Sequence, residues 1–238
     1  MKILVGCEFS GRVRSAFRRL GHDAWSCDLL ESEDGSPFHI QGDVIPLLAD
    51  GWDLAVFNPP CTYLCASGMH WTKRGKRDPQ QTEDALAFVR ILMDAPIPRI
   101  AIENPISIIS SRIRPPDQIV NPYQFGEDAS KKTCFWLKAL PPLKPTKMVA
   151  PRMVCCRMVI ENGDKSACPN CNGEKAALPR WGNQCDSGQN KLGPSAIRAK
   201  ERSRTYWGIA NAMADQWGLT CWNPRLSLMP PYPGGRHE

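Results

Sequence analysis

The chain has 238 residues, 42% of them hydrophobic and 23% charged, which allows a sizeable core and excludes global disorder. Its 30 lysines and arginines outnumber 24 acidic residues to leave a charge of +6, a mild basic excess compatible with a polyanionic partner. No apolar run approaches the ~20 residues that span a bilayer. No apolar signal segment follows Met1, so the 11 cysteines read as free, metal-bound or catalytic thiols in a reducing cytoplasm, not as a disulfide framework.

Residues 2–5 predict a short buried strand, and a turn with glycines at both ends, Gly6 and Gly11, follows it. Residues 12–20 have helical spacing (Val13, Ala16, Phe17, Leu20), with Gly21 as a natural stop. Residues 23–27 predict a strand ending at Asp28, residues 39–43 a short extended piece, and residues 44–49 a short helix. Residues 54–57 predict a buried strand that Asn58-Pro59-Pro60 ends, because neither proline donates a ladder hydrogen bond and each fixes its φ. A thiol, Cys61, stands directly after that rigid turn. Residues 65–77 read as a loop carrying Trp71 and the basic residues Lys73, Arg74, Lys76 and Arg77. Residues 78–94 have the best helical pattern, with Ala85, Phe88, Val89 and Leu92 on one face, and residues 99–102 predict a strand that stops at Glu103-Asn104-Pro105. Strand–helix alternation of this kind argues for an α/β fold with a doubly wound, Rossmann-like parallel sheet.

The pattern changes after residue 138, where prolines and most of the remaining cysteines replace apolar periodicity. We divide the chain into a catalytic core at 1–137, a small irregular Cys-rich insertion at 138–194, a C-terminal helix returning to the core at 195–220, and a mobile tail at 221–238. The returning segment reads as one long helix over 195–217.

Open α/β sheets place their chemistry outside the carboxyl ends of the strands. The first turn matches the dinucleotide pattern GxGxxG poorly, but glycines there let backbone approach a ligand. Asp28, about 20 residues on, can accept both hydroxyls of a ribose, and Asp43 can accept from an adenine amine. Cys61 and the Glu103-Asn104 pair each follow a buried strand.

Glu8-Phe9-Ser10-Gly11, Asp28, Gly42-Asp43, Pro59-Pro60-Cys61 and Glu103-Asn104 fall in the order and approximate spacing of the DNA cytosine-5 methyltransferases. The chain most resembles the small phage and prophage members of that family. The resemblance runs from residue 1 to about 137 and again from about 195 to 217, where Arg198 to Thr205 and Gly208 to Met213 look like the family's last two motifs. It implies a Rossmann-like methyltransferase sheet and S-adenosylmethionine held by Glu8, Phe9, Ser10, Gly11, Asp28 and Asp43, with Asn58, Pro59 and Asn211 around the same pocket. It implies Cys61 as nucleophile, Glu103 as the group that protonates or hydrogen-bonds the cytosine ring nitrogen, and Asn104 beside it. DNA is the implied partner, double-stranded with a flipped base or single-stranded, met by a monomer. Carbon 5 of cytosine is a poor nucleophile until a thiolate adds to carbon 6, which splits one hard step into easier ones. The segment 65–77 is where family members close over DNA, with basic side chains meeting phosphates and an aromatic supporting an extruded base.

The chain departs from the family pattern in two places. Thr62 stands where a glutamine is usual, and the Gln-x-Arg-x-Arg segment is matched only by Gln124-Phe125-Gly126-Glu127-Asp128. Lys131, Lys132 or a residue of the insertion is left to supply the missing charge.

Cys168-Pro-Asn-Cys171 lets two thiolates on one turn grip a tetrahedral ion. With Cys156 or its neighbour Cys155, and with Cys185, it predicts a four-thiolate zinc site in a segment too poor in apolar residues to fold by burial alone. Arg152, Arg157, Lys165, Lys175, Arg180 and Lys191 would give that insertion a phosphate-binding face. Three other readings remain open: an exocyclic-amine methyltransferase using Asn58-Pro59-Pro60, a cytosine-5-type enzyme acting on RNA or a free pyrimidine nucleotide or with a modified sulfonium donor, and a decayed nucleic-acid-binding module.

Overall fold

The computed structural model describes residues 1–156, 158–159, 170–171, 175, 177–184 and 196–218, and the backbone alone at 66–68, 73, 158–159 and 196–199. The predicted ligands Cys168 and Cys185, the basic residues Arg157, Lys165 and Lys191, and the tail from 221 lie outside the described residues.

Seven strands form the main sheet: β1 (Lys2–Gly6), β2 (Asp23–Asp28), β3 (His39–Gln41), β4 (Leu54–Phe57), β5 (Ile100–Pro105), β6 (Gln118–Val120) and β7 (Thr133–Lys138). Their order is β3-β2-β1-β4-β5-β7-β6. All neighbours from β3 to β5 are parallel, with Val5 opposite Val56 and Phe57 opposite Ile102, whereas β7 runs antiparallel to both β5 and β6. This is the doubly wound Rossmann-like sheet that the alternation predicts. Ile3, Leu4 and Val5 of β1 and all four residues of β4 are buried, as expected for strands covered on both faces.

Two apolar layers flank the sheet. On one side Val13, Ala16 and Phe17 of α1 (Arg12–Arg19) pack with Ile209, Met213 and Trp217 of the last helix; on the other, Leu86, Val89 and Leu92 of α3 (Gln80–Met93) pack with Trp52 and Trp136. No helix among the described residues is long and apolar enough to cross a membrane.

The structure differs from the sequence reading at four points. Residues 66–73, read as part of a loop, form the helix α2 (Ala66–Lys73). A short helix, α4 (Ile109–Arg112), and the strands β6 and β7 complete the core beyond the last predicted strand. The single helix expected at 195–217 is two, α5 (Ala196–Ser203) and α6 (Trp207–Gly218). Polar bonds fix the break between them: Arg204 pairs with Glu33 and Glu201, Arg12 Nη1 donates to the Thr205 carbonyl at 2.9 Å, and Gly208 N donates to Glu127 Oε1 at 2.9 Å. Within the insertion, β8 (Arg152–Cys155), β9 (Met158–Val159) and β10 (Leu178–Arg180) form a small antiparallel sheet in the order β10-β8-β9, where irregular structure was expected.

Candidate active site

The strand order reverses between β1 and β4, which is where open α/β sheets bind ligands. A cavity of 590 Å³ lies there, lined by Cys7, Cys27, Asp28, Leu29, Asp43 and Ile45 on one side and by Pro60, Tyr63 and the α3 residues Asp84 and Phe88 on the other. This volume falls within the range of small-molecule sites. The two carboxylates predicted for a nucleoside therefore meet in one cavity. Asp28 Oδ1 accepts from Leu30 N at 2.9 Å and Asp43 Oδ1 from Ile45 N at 3.0 Å, so local turns orient both. Burial pushes the Asp28 carboxyl above its usual range, against the lowering effect of the Leu30 amide. Leu29 and Ile45 are exposed apolar side chains, 73% and 40% accessible, and offer uncovered hydrophobic walls beside the carboxylates.

Cys7 and Cys27, absent from the sequence-based site, line the cavity too. Burial, reinforced by the Asp28 charge, pushes the Cys7 thiol up to about 12, and the same causes push Cys27 up to about 11. Cys7 has φ +58°, so the chain leaves β1 in the left-handed region. Its position between Gly6 and Glu8 in the first turn was the available signal.

The Glu8–Gly11 turn does not line the cavity; it holds α1. Glu8 is buried, and its Oε1 accepts from Val13 N at 2.7 Å while Oε2 accepts from Arg14 N at 3.3 Å, which covers the free amides of the first helical turn. Ser10 Oγ donates to Glu8 Oε1 at 3.4 Å. Gly11 has φ +67°, a conformation that favours glycine, and a Cβ there would stand 2.1 Å from Arg14 Nη2 and displace that guanidinium. Phe9 is buried with the Lys200 ammonium 5.2 Å from its ring centroid. Asn58, Pro59 and Asn211 do not line the cavity either, although the adjoining Pro60 does.

The parallel register of β4 and β5 brings the Pro-Pro-Cys turn and Glu103-Asn104 to the same end of adjacent strands. Asn104, 1% exposed, donates from Nδ2 to the Pro59 carbonyl at 2.8 Å and so ties the turn to β5. Ile108 N donates to the Leu64 carbonyl at 3.0 Å and makes a second tie. The buried Oδ1 atoms of Asn58 and Asn104 have no partner among the described residues.

A hydrogen bond with the Cys65 thiol raises the pKa of Cys61 most, followed by burial, the proximity of Cys65 and the charge of Glu103; Lys131 acts in the opposite direction. Sequence reasoning overlooked Cys65, whose spacing of four residues from Cys61 is that of one helical turn. Glu103 is half-buried as a residue but its carboxyl is enclosed, and burial raises it above the usual carboxylate range, again opposed by Lys131. Lys131 thus interacts with both groups, and its Nζ is held by the Arg202 carbonyl at 3.0 Å. Lys132 is exposed.

Trp71 is 43% exposed on α2, with the Lys76 ammonium 5.5 Å from its ring centroid, and Arg74 is exposed beside them. Arg77 turns back instead: Nη1 donates to the Thr62 carbonyl at 2.9 Å and the guanidinium lies 5.2 Å from the Tyr63 ring. The Lys73 side chain lies outside the described residues. In the insertion, the Sγ atoms of Cys155, Cys156 and Cys171 lie within 4.8 Å of one another, so both members of the vicinal pair, not one, face Cys171.

No protein-family model and no curated protein matches the chain. Among solved structures, the chain is similar to a methyltransferase of Entamoeba histolytica at 18% identity and a TM-score of 0.45, over 62% of this chain and 57% of that one. It is also similar to a prophage-encoded protein of E. coli provisionally named a DNA modification methyltransferase, at 14% identity and a TM-score of 0.38, over 67% of this chain and 60% of that one. The chain thus spans less than two thirds of the length of either protein.

Proposed function

We propose that the protein transfers a methyl group from S-adenosylmethionine to carbon 5 of cytosine in DNA, with Cys61 as nucleophile and Glu103 as acid. One observation carries this reading: the β4–β5 register sets the Cys61 turn beside Glu103-Asn104, and the same turn walls a cavity bearing Asp28 and Asp43 at the reversal of the sheet. The cavity suits a nucleoside, with two carboxylates to accept from hydroxyls and an amine, and Leu29 and Ile45 to cover an aromatic ring. S-adenosylmethionine, when bound, supplies an electrophilic methyl group.

The protein's own groups do the rest. Cys61 gives up its proton to solvent and its sulfur adds to carbon 6 of the ring; once carbon 5 carries the methyl group, loss of the carbon 5 proton to water restores the double bond and expels the sulfur. Glu103, kept protonated by burial, donates to the ring nitrogen and neutralises the electron density that addition places there. Lys131 offsets negative charge on this pair, the part that the absent Gln-x-Arg-x-Arg arginines would otherwise take. Asn104 holds the Pro59 carbonyl and with it the position of the sulfur. Trp71, Arg74 and Lys76 form the exposed basic and aromatic face to which a nucleic acid would dock.

The test is incubation with labelled cofactor and DNA containing 5-fluorocytosine. A covalent adduct that Cys61→Ser abolishes is expected; methyl transfer by Cys61→Ser refutes the mechanism. That result would favour exocyclic-amine transfer, the second reading, which the buried and unpartnered Oδ1 of Asn58 supports, since it is an acceptor suited to an amine.

A further inference from the structure

The small second sheet cannot be held by its own burial. Its strands have four, two and three residues, and its apolar cluster among the described residues consists of Cys155 and Ala177 with Met153, Cys156 and Cys171 packed against them. Sheets of this size need a hydrophobic face or another constraint to persist. The thiols supply the constraint. Cys155 Sγ lies 3.4 Å from Cys171 Sγ and 3.9 Å from Cys156 Sγ. Tetrahedral thiolates around zinc, each at about 2.3 Å from the ion, stand about 3.8 Å apart, whereas a disulfide needs about 2.05 Å. Cys156 adopts φ +48°, a conformation rare for a residue with a side chain, directly after the end of β8. That turn brings two consecutive cysteines to one side of the chain, whereas an extended strand would send them to opposite faces.

We propose that Cys155, Cys156 and Cys171 together bind a zinc ion, so that the vicinal pair acts as a two-thiolate claw. The ion fixes a sheet that in turn braces the active site. Gly182 N, just after β10, donates to Asp128 Oδ1 at 2.8 Å, Ser130 N donates to Asn183 Oδ1 at 2.9 Å, and Trp181 stacks on Tyr123 with centroids 4.5 Å apart. Arg152 of β8 pairs with Asp128. Residues 128–130 therefore rest on the metal-held sheet, and Lys131, whose charge acts on Cys61 and Glu103, follows them directly. The site stands whether or not the protein methylates DNA.

The test uses the full chain, purified without a metal-binding tag. Elemental analysis should find zinc in stoichiometric amount, and replacement with cobalt(II) should give thiolate-to-metal charge-transfer absorption. Cys155→Ser, Cys156→Ser and Cys171→Ser should each lose most of the metal, whereas Cys61→Ser keeps it. If a variant fails to fold, the wild-type chain still decides: a chelator should release zinc and expose the 150–185 region to proteolysis before the core. The proposal is overturned by metal-free protein with reactive thiols, by an iron–sulfur chromophore, by a disulfide among the three, or by full zinc content in Cys155→Ser.

Discussion

Asn104→Ala measures how much the Cys61 turn depends on β5. The wild-type Nδ2 donates to the Pro59 carbonyl at 2.8 Å from a residue 1% exposed, so the variant leaves that carbonyl without its partner where water has little access. Leaving such a group unsatisfied costs about 1–3 kcal/mol. At about 2–4 °C per kcal/mol for a chain of this size, Tm should fall by about 2–12 °C. The lower half of that range is the expected one, because alanine also removes Asn104 Oδ1, a buried acceptor with no partner among the described residues. Asn104→Asp should be worse than alanine: it loses the donor and sets a charge facing the Pro59 carbonyl. Thermal unfolding reads the stability, and the rate of adduct formation with 5-fluorocytosine DNA reads the position of the sulfur; both should fall together. A Tm within about 1 °C of wild type with an unchanged adduct rate would refute the claim that this bond holds the turn.

Three further outcomes are expected. Burial holds the Glu103 carboxyl above its ordinary 4.5, so the stability of its protonated form is complete below that value and is lost as pH rises through the higher folded value; Glu103→Gln, always neutral, should flatten that loss in pH-dependent thermal unfolding, and an unaltered profile counts against a protonated Glu103. Asp43→Ala should weaken S-adenosylmethionine binding about 10- to 100-fold, the worth of one hydrogen bond to a charged group, and unchanged affinity by calorimetry would remove Asp43 from the nucleoside site. Gly208→Ala places a Cβ 1.9 Å from the Phe125 carbonyl oxygen, so the start of α6 must move and stability should drop by about 1–3 kcal/mol; a wild-type denaturation midpoint would show that this contact is not tight.

The strands that carry the site were readable because each combines an apolar run with a residue type that ends it. Leu54 to Phe57 stops at two prolines and β2 closes on the Asp28 carboxylate, whereas β5 runs past Glu103 to Pro105, where a stop at Glu103 was expected. Pairing geometry was not readable. β6 has three residues and β7 leads with Thr133 and Cys134, so neither has a periodic signature, and the reversed direction of β7 is a property of the sheet, not of its own sequence. The α5–α6 break was hidden for a related reason: Arg204 and Thr205 continue a helical pattern, and partners far away in sequence, Glu33 and Arg12, help to hold them out of it. One thiol of the vicinal pair was expected beside Cys171; that both point the same way depends on one positive φ at Cys156.

On the proposed mechanism, the Cys61 thiol, the Glu103 carboxyl and the Lys131 ammonium are linked by charge. The Glu103 charge is among the causes that raise Cys61, and burial raises Glu103 itself. Both groups are pushed toward their neutral forms, and with Lys131 as the opposing charge the enclosed pair takes one negative charge more readily than two. Of the two ways to place that one charge, the proposed covalent step needs sulfur ionised and the carboxyl protonated. The hydrogen bond from Cys61 to Cys65 is then the remaining brake, because it favours the thiol over the thiolate arrangement seen by the ring. A Cys65 thiol that turned to donate to an ionised Cys61 would reverse the sign of that contribution without any new charge. The i to i+4 placement of the two cysteines, with Cys65 N already bonded to the Cys61 carbonyl at 2.9 Å, keeps the pair together while a single thiol rotation makes the change.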